Sequence, residues 1–196
     1  MAELPIDFVG LQEINPEIYA WIEIPDTKIN YPILQHEGED QAYYLTRDLY
    51  GASNQAGSIY TEDYNNKDFQ DYHTVLYGHN MKNGSMFGRL RKFRNSEFCK
   101  ENPYFYIYTP DGKEITYHIY SVAVVKDDAD TYKISFASDP NYQAFIDFTY
   151  SSAEYTTGVE VSTDEEIVTL STCTASSDDH RLVVHGVKIQ EISLED

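Results

Sequence analysis

The residue type best suited to covalent chemistry in this chain is cysteine, present twice, as Cys99 and Cys173. Cys173 lies at the end of the strand-like stretch within 167–174, IVTLSTCT, whose β-branched composition is that of a strand. Small residues, Ser171, Thr172, Thr174, Ala175, Ser176 and Ser177, surround the thiol and leave room for a substrate. A cysteine kept for packing more often sits inside an apolar run; a semi-buried strand cysteine is the alternative reading. Cys99, in Ser96-Glu97-Phe98-Cys99-Lys100, reads as a structural residue of a helical turn.

A thiol is mostly protonated at neutral pH and becomes a useful nucleophile only beside a base or a cation. The chain holds six histidines. His36, His73 and His118 lie in strand-like or acidic contexts that suit solvated or half-buried roles, while His180 and His185 flank a strand and remain open. His79 differs: the apolar strand 74–77 runs through Gly78 into the imidazole, and glycine permits close backbone approach there. A polar strand terminus is the plainer alternative. Arg181 opens a further strand after a polar loop that returns from Cys173. Two antiparallel strands joined by that loop would set the guanidinium beside the thiol, where it can stabilise a thiolate or an oxyanion. A surface arginine paired with Asp178 or Asp179 is the competing reading.

The elements that must position these groups are mostly short strands. Segments 29–34, 57–61, 74–77, 104–108, 115–125, 167–172 and 182–192 are rich in β-branched and aromatic residues and bounded by turn formers such as Pro110-Asp111-Gly112. Their spacing predicts a barrel or a sandwich. Helices are expected in three places: around Ile18, Trp21 and Ile22 after Asn15-Pro16; along the stripe Met86, Leu90 and Phe93; and from Asp139-Pro140 through Tyr142, Phe145, Ile146 and Thr149.

A length of 196 residues suits one domain, 1–196, with residues 1–14 as a peripheral N-terminal segment. Fourteen Lys and Arg against thirty-three Asp and Glu give a formal charge of -19, which opposes binding to a phosphate backbone or to anionic lipid through a basic patch. Nucleic acid is therefore not an expected partner. Neither cysteine belongs to a CxxC pair or a Cys/His cluster with zinc-ligand spacing, and the scattered carboxylates define no calcium site, so no metal or cofactor is expected. A run of about eighteen apolar residues and a basic-apolar secretory start are both missing from the sequence.

Taken together, these fragments resemble one family, the sortases of Gram-positive bacteria. TLSTCT at 169–174 looks like the family's TLxTC, Arg181 matches its downstream arginine, and VLYGHNM at 75–81 looks like the segment carrying its histidine. The class B form is indicated by Ala20-Trp21-Ile22-Glu23-Ile24 followed by Ile29-Asn30-Tyr31-Pro32-Ile33, by Gly57-Ser58-Ile59-Tyr60, by Gly78-His79-Asn80-Met81 with Met86-Phe87, and by Arg181-Leu182-Val183-Val184-His185-Gly186. The resemblance spans about residues 15–192 in motif order.

It implies a mainly β fold: a closed eight-stranded barrel with peripheral helices, one N-terminal and one between strands 6 and 7. It also implies a cysteine transpeptidase in which Cys173 attacks the carbonyl of Thr in a C-terminal sorting signal and His79 and Arg181 complete the active site. For substrate contacts it points to Ser171, to Thr174 and to a DNxxYL-like segment that here reads DQAYYL, where Leu45 matches and Gln41 replaces the family's Asn. The implied partners are a sorting-signal peptide, NPQTN-like or a related TG or TN ending, and an amine of a cell-wall precursor or a pilin. The implied place is the outer face of the membrane, reached through an N-terminal anchor helix outside this chain. A hydrolytic cysteine protease and a silent peptide-binding module are the competing functions.

Overall fold

The computed structural model describes residues 4–173 and 179–194. Among the described residues nine strands form one sheet: β1 (Ile18–Glu23), β2 (Asn30–Gln35), β3 (Ile59–Thr61), β4 (His73–Tyr77), β5 (Tyr104–Thr109), β6 (Lys113–Lys126), β7 (Tyr155–Thr156), β8 (Ile167–Cys173) and β9 (His180–Ser193). Their order is β5-β1-β2-β3-β4-β8-β9-β6-β7, and an added β5–β6 pairing closes the first eight into a barrel, with β7 appended at the edge of β6. The mainly β, closed eight-stranded fold implied by the resemblance is the fold observed, and it decides between the barrel and the sandwich that strand spacing left open. Closure removes the open edges on which other chains could pair. β6 pairs with β9 along one edge and with β5 and then β7 along the other, and register shifts at Thr116/Tyr117 and Ile119/Ser121 interrupt its ladder with β9.

Alternation along the strands fills the barrel. Ile22, Ile33, Leu76, Phe105, Ile119, Leu170 and Val184 all belong to one buried cluster, each contributing roughly 1.5–3 kcal/mol through loss of contact with water. On β8 the inward set is Val168 and Leu170, so Thr169, Ser171 and Cys173 fall on the opposite, outer face. A second cluster forms outside the barrel, where Tyr142, Phe145 and Ile146 of α3 (Asp139–Ser151) pack over Tyr120, Ile167 and Val187. This helix lies between β6 and β7, as expected, with Pro140 in its first turn; its N-cap is Ser138 and not Asp139.

The expected N-terminal helix at Ile18–Trp21–Ile22 is corrected by the structure. Helix α1 is Phe8–Ile14, and the segment from Ile18 is strand β1. Asn15-Pro16 stops a helix and does not start one, since the residue before proline is driven to extended backbone, and Asn15 has φ -151 and ψ 110. Burial of Ile18, Tyr19, Ala20 and Ile22 on both faces of β1 erases the alternation that would have marked a strand. The Met86 stripe becomes a 3₁₀ segment, Gly88–Arg94, followed by the short helix α2 (Ser96–Glu101) that buries Cys99. Burial pushes the Cys99 thiol pKa up, in keeping with its structural reading.

Candidate active site

Two strand pairings assemble the site. β8 and β9 are antiparallel with Cys173 directly opposite Arg181, the neighbourhood predicted from the returning loop. β4 and β8 are parallel with Tyr77 opposite Ser171, so the chain leaving β4 carries His79 to the level of Cys173. Gly78 is needed at that exit: a Cβ there would lie 2.5 Å from Ile59 Cδ1 and 2.8 Å from the Phe87 ring. The Gly78 N–H donates to the Ser171 carbonyl at 3.2 Å and the Phe87 N–H to the His79 carbonyl at 2.9 Å, fixing the backbone on both sides of the imidazole.

Cys173, His79 and Arg181 line one cleft of about 490 Å³. All three are half-buried. His79 Nε2 lies 2.6 Å from the Leu45 carbonyl oxygen, which can only accept, so Nε2 carries a proton and Nδ1 is the nitrogen left to exchange one. Leu45 thus meets the imidazole through its backbone, while its side chain, 38% exposed, lines the cleft. Arg181 pairs with Asp127 at 3.6 Å; of the two expected partners, Asp178 lies outside the described residues.

Ser171 is buried on the cleft floor and shares a hydrogen bond of 2.8 Å with the Tyr132 hydroxyl. Gln41 is not among the residues that line the cleft but adjoins its Glu62 end: its Oε1 accepts from the Asp63 N–H at 2.6 Å and its Nε2 donates to the Gly38 carbonyl at 3.4 Å. Thr174 lies outside the described residues.

The sequence reading assigned no site role to five cleft residues, Tyr60, Glu62, Tyr77, Asp127 and Tyr132. Tyr60 stacks on Tyr77 with ring centroids 5.4 Å apart, and Tyr77 on Tyr132 at 6.1 Å, making an aromatic wall. Desolvation raises the hydroxyl pKa of all three, that of Tyr132 to about 12, so they act as neutral donors. Strand period was the available signal: Tyr77 is two residues before His79, on the same face.

Of the histidines left open, His185 is buried and His180 pairs at the surface, while His73, expected to be solvated or half-buried, is fully buried. His73 and His185 are buried beneath α3, and both reach the Thr169 hydroxyl, at 2.6 and 2.7 Å. His180 pairs with Asp179 at 2.8 Å. Among the described residues no group of three His, Cys, Asp or Glu side chains could hold a metal ion, and no helix is long and apolar enough to cross a membrane.

Comparison with known proteins places the chain in a family. The sortase domain family model matches residues 22–189. Sortase B of Listeria monocytogenes is 35% identical over 180 residues, covering 90% of this chain and 71% of its own. Among solved structures, sortase B of Bacillus anthracis in complex with AAEK1 superposes with a TM-score of 0.84 at 37% identity, covering 93% of this chain and 84% of that one. The Staphylococcus aureus sortase B–substrate complex gives 0.85 at 28%, with the same coverage. The chain belongs to the sortase family, and it is a cysteine transpeptidase of the sortase B type. Sortases act at the surface of Gram-positive cells.

Proposed function

We propose that this transpeptidase cleaves a sorting signal after Thr and joins the new carboxyl end to an amine, with Cys173 as nucleophile. The reading is supported above all by the register that sets Cys173 opposite Arg181 while β4 delivers His79 to the same strand end. The Cys173 sulfur attacks the Thr carbonyl, and the oxyanion is held by Arg181. His79, oriented by the Leu45 carbonyl, gives a proton to the departing amine as the peptide C–N bond breaks and the thioester remains. An incoming primary amine then attacks the thioester carbonyl and loses its proton to His79. The new amide forms as the thiolate leaves. A thioester retains acyl reactivity, so a bound amine competes with water.

The signal class proposed is NPQTN-like or a related TN or TG ending, and the acceptor an amine of a cell-wall precursor or a pilin. Leu45 and Ser171 are proposed contacts, with Thr174 and, from the DQAYYL segment, Gln41 carried by resemblance alone. The proposed place of action is the outer face of the membrane. The test is incubation of the protein and a Cys173→Ala control with peptides ending in TN or TG, with and without oligoglycine or diamino-acid amines, read by mass spectrometry. Cleavage after Thr with an amine adduct that the control lacks is expected. Cleavage without adduct under every amine would replace transfer by hydrolysis.

A further inference from the structure

The cleft has a second charged end. Glu62 follows β3 directly and lines the same cleft as Cys173, Tyr60 and Tyr77. Its backbone is held firmly, since its carbonyl accepts from Gln35 Nε2 at 2.9 Å and from the Asn65 N–H at 3.2 Å. Its carboxylate is half-buried and has no cation beside it among the described residues; burial, with the charge of Asp63 added, raises its pKa. A carboxylate left without a cation behind an aromatic wall is a charge that a ligand can satisfy.

The direction of the peptide follows from the reaction. His79 protonates the departing amine, so the leaving half of the substrate extends on the His79 side, and the half retained on sulfur must extend the other way. β3 is antiparallel to β4 through Tyr60 opposite Tyr77, so the chain beyond Tyr60 returns toward the start of β4, away from His79. Along the strand axis Glu62 therefore lies about four residues from the level that His79 and Cys173 share, and a retained half that runs down the groove reaches it. Counted along the sheet, about four residues down at 3.3 Å and two strands across at 4.8 Å, it is roughly 16 Å from Cys173. An extended peptide covers about 13 Å in four residues, and a side chain supplies the remainder.

We propose that Glu62 forms a distal specificity site that selects a cationic or hydrogen-bond-donating side chain about four residues before the scissile Thr, immediately ahead of the five-residue sorting motif. The proposal rests on the sorting-peptide reading of the cleft and adds a position to it.

The test uses fluorogenic peptides Xaa-Asn-Pro-Gln-Thr-Asn with Lys, Gln or Glu at Xaa, at low ionic strength. The intact protein is expected to show kcat/KM about tenfold higher for Lys than for Glu, a ratio corresponding to one half-buried ion pair. Glu62→Gln is expected to bring the ratio to about two or less, and Glu62→Lys to invert it. Glu101→Gln, on an exposed helix end, removes the same charge elsewhere and is expected to leave the ratio unchanged. Fluorescence anisotropy of the same peptides on the Cys173→Ala protein reads the preference without turnover, so a failed transpeptidase reading leaves it measurable. An unaltered ratio in Glu62→Gln, an equal change in Glu101→Gln, or an effect of Glu62→Gln confined to the amine dependence overturns the proposal.

Discussion

Asn80 Nδ2 donates to the carbonyl oxygen of Cys173 at 2.9 Å, across 93 positions of sequence. The residue after the imidazole therefore holds the backbone of the proposed nucleophile, and Asn80 is in turn pinned by its bridge to Met86. Asn80→Ala is expected to lower kcat/KM for a cleaved peptide about tenfold while reducing stability by about 1 kcal/mol, the usual worth of one such bond. Asn80→Asp, which sets a carboxylate against a carbonyl, is expected to be worse on both counts. Peptide kinetics beside urea denaturation measure the two effects, and a stability loss with unchanged kinetics would reduce the bond to a structural one.

Gly57 controls the imidazole from a distance. It has φ +60, and a Cβ there would lie 2.5 Å from the Leu45 carbonyl oxygen and 2.7 Å from that of Tyr44. Gly57→Ala must displace the carbonyl that accepts from His79 Nε2. A fall in kcat of about tenfold or more is expected, together with a shift of the His79 ring resonances in NMR spectra. Unmoved resonances would show that the Leu45 carbonyl does not orient the ring.

Arg181→Lys keeps the charge and loses the planar fork. A fall of at least about a hundredfold in kcat/KM is expected if the guanidinium serves the oxyanion. Asp127→Asn, which removes a half-exposed partner 3.6 Å away, is expected to change kcat/KM by less than about threefold. Comparable losses in both variants would make the ion pair, and not the fork, the requirement.

The buried pair under α3 predicts acid sensitivity. Burial lowers the His73 pKa from 6.5 to about 4 and that of His185 to about 3, the latter also through the charge of His73. The unfolded chain therefore takes up protons first: stability is whole above pH 6.5 and falls as the pH drops toward 4. Each histidine contributes a slope of about 1.4 kcal/mol per pH unit in that window. Denaturation at pH 7, 6, 5 and 4.5 is expected to show a shallower slope for His185→Phe than for the parent chain. Equal slopes would mean that His185 titrates alike in both states.

Strand composition made seven strands legible in the sequence, and the loop between Cys173 and Arg181 made their nearness, though not the β8–β9 register, legible as well. β1 was hidden because burial on both faces removes its period, and β7 because Tyr155–Thr156 is too short to carry one. The cleft walls were harder. Tyr60, Tyr132 and Glu62 arrive from β3 and from the 3₁₀ turn Asp130–Tyr132, and nothing local in their sequence announces a groove built by strand order. Gln41 illustrates the reverse: a motif position legible in sequence whose side-chain oxygen bonds the Asp63 backbone, a contact that the motif does not announce.

The parallel pairing of β4 with β8 has a kinetic meaning as well. Parallel neighbours need a long crossover, and here β5, β6, β7 and α3 all intervene between His79 and Cys173. No fragment or early intermediate with only local contacts can join thiol to imidazole, and topologies dominated by distant contacts mature slowly. Enzymatic turnover should then be the last signal to return when the denatured chain is refolded, trailing circular dichroism and tyrosine fluorescence, and a newly made molecule stays inert until its barrel has closed.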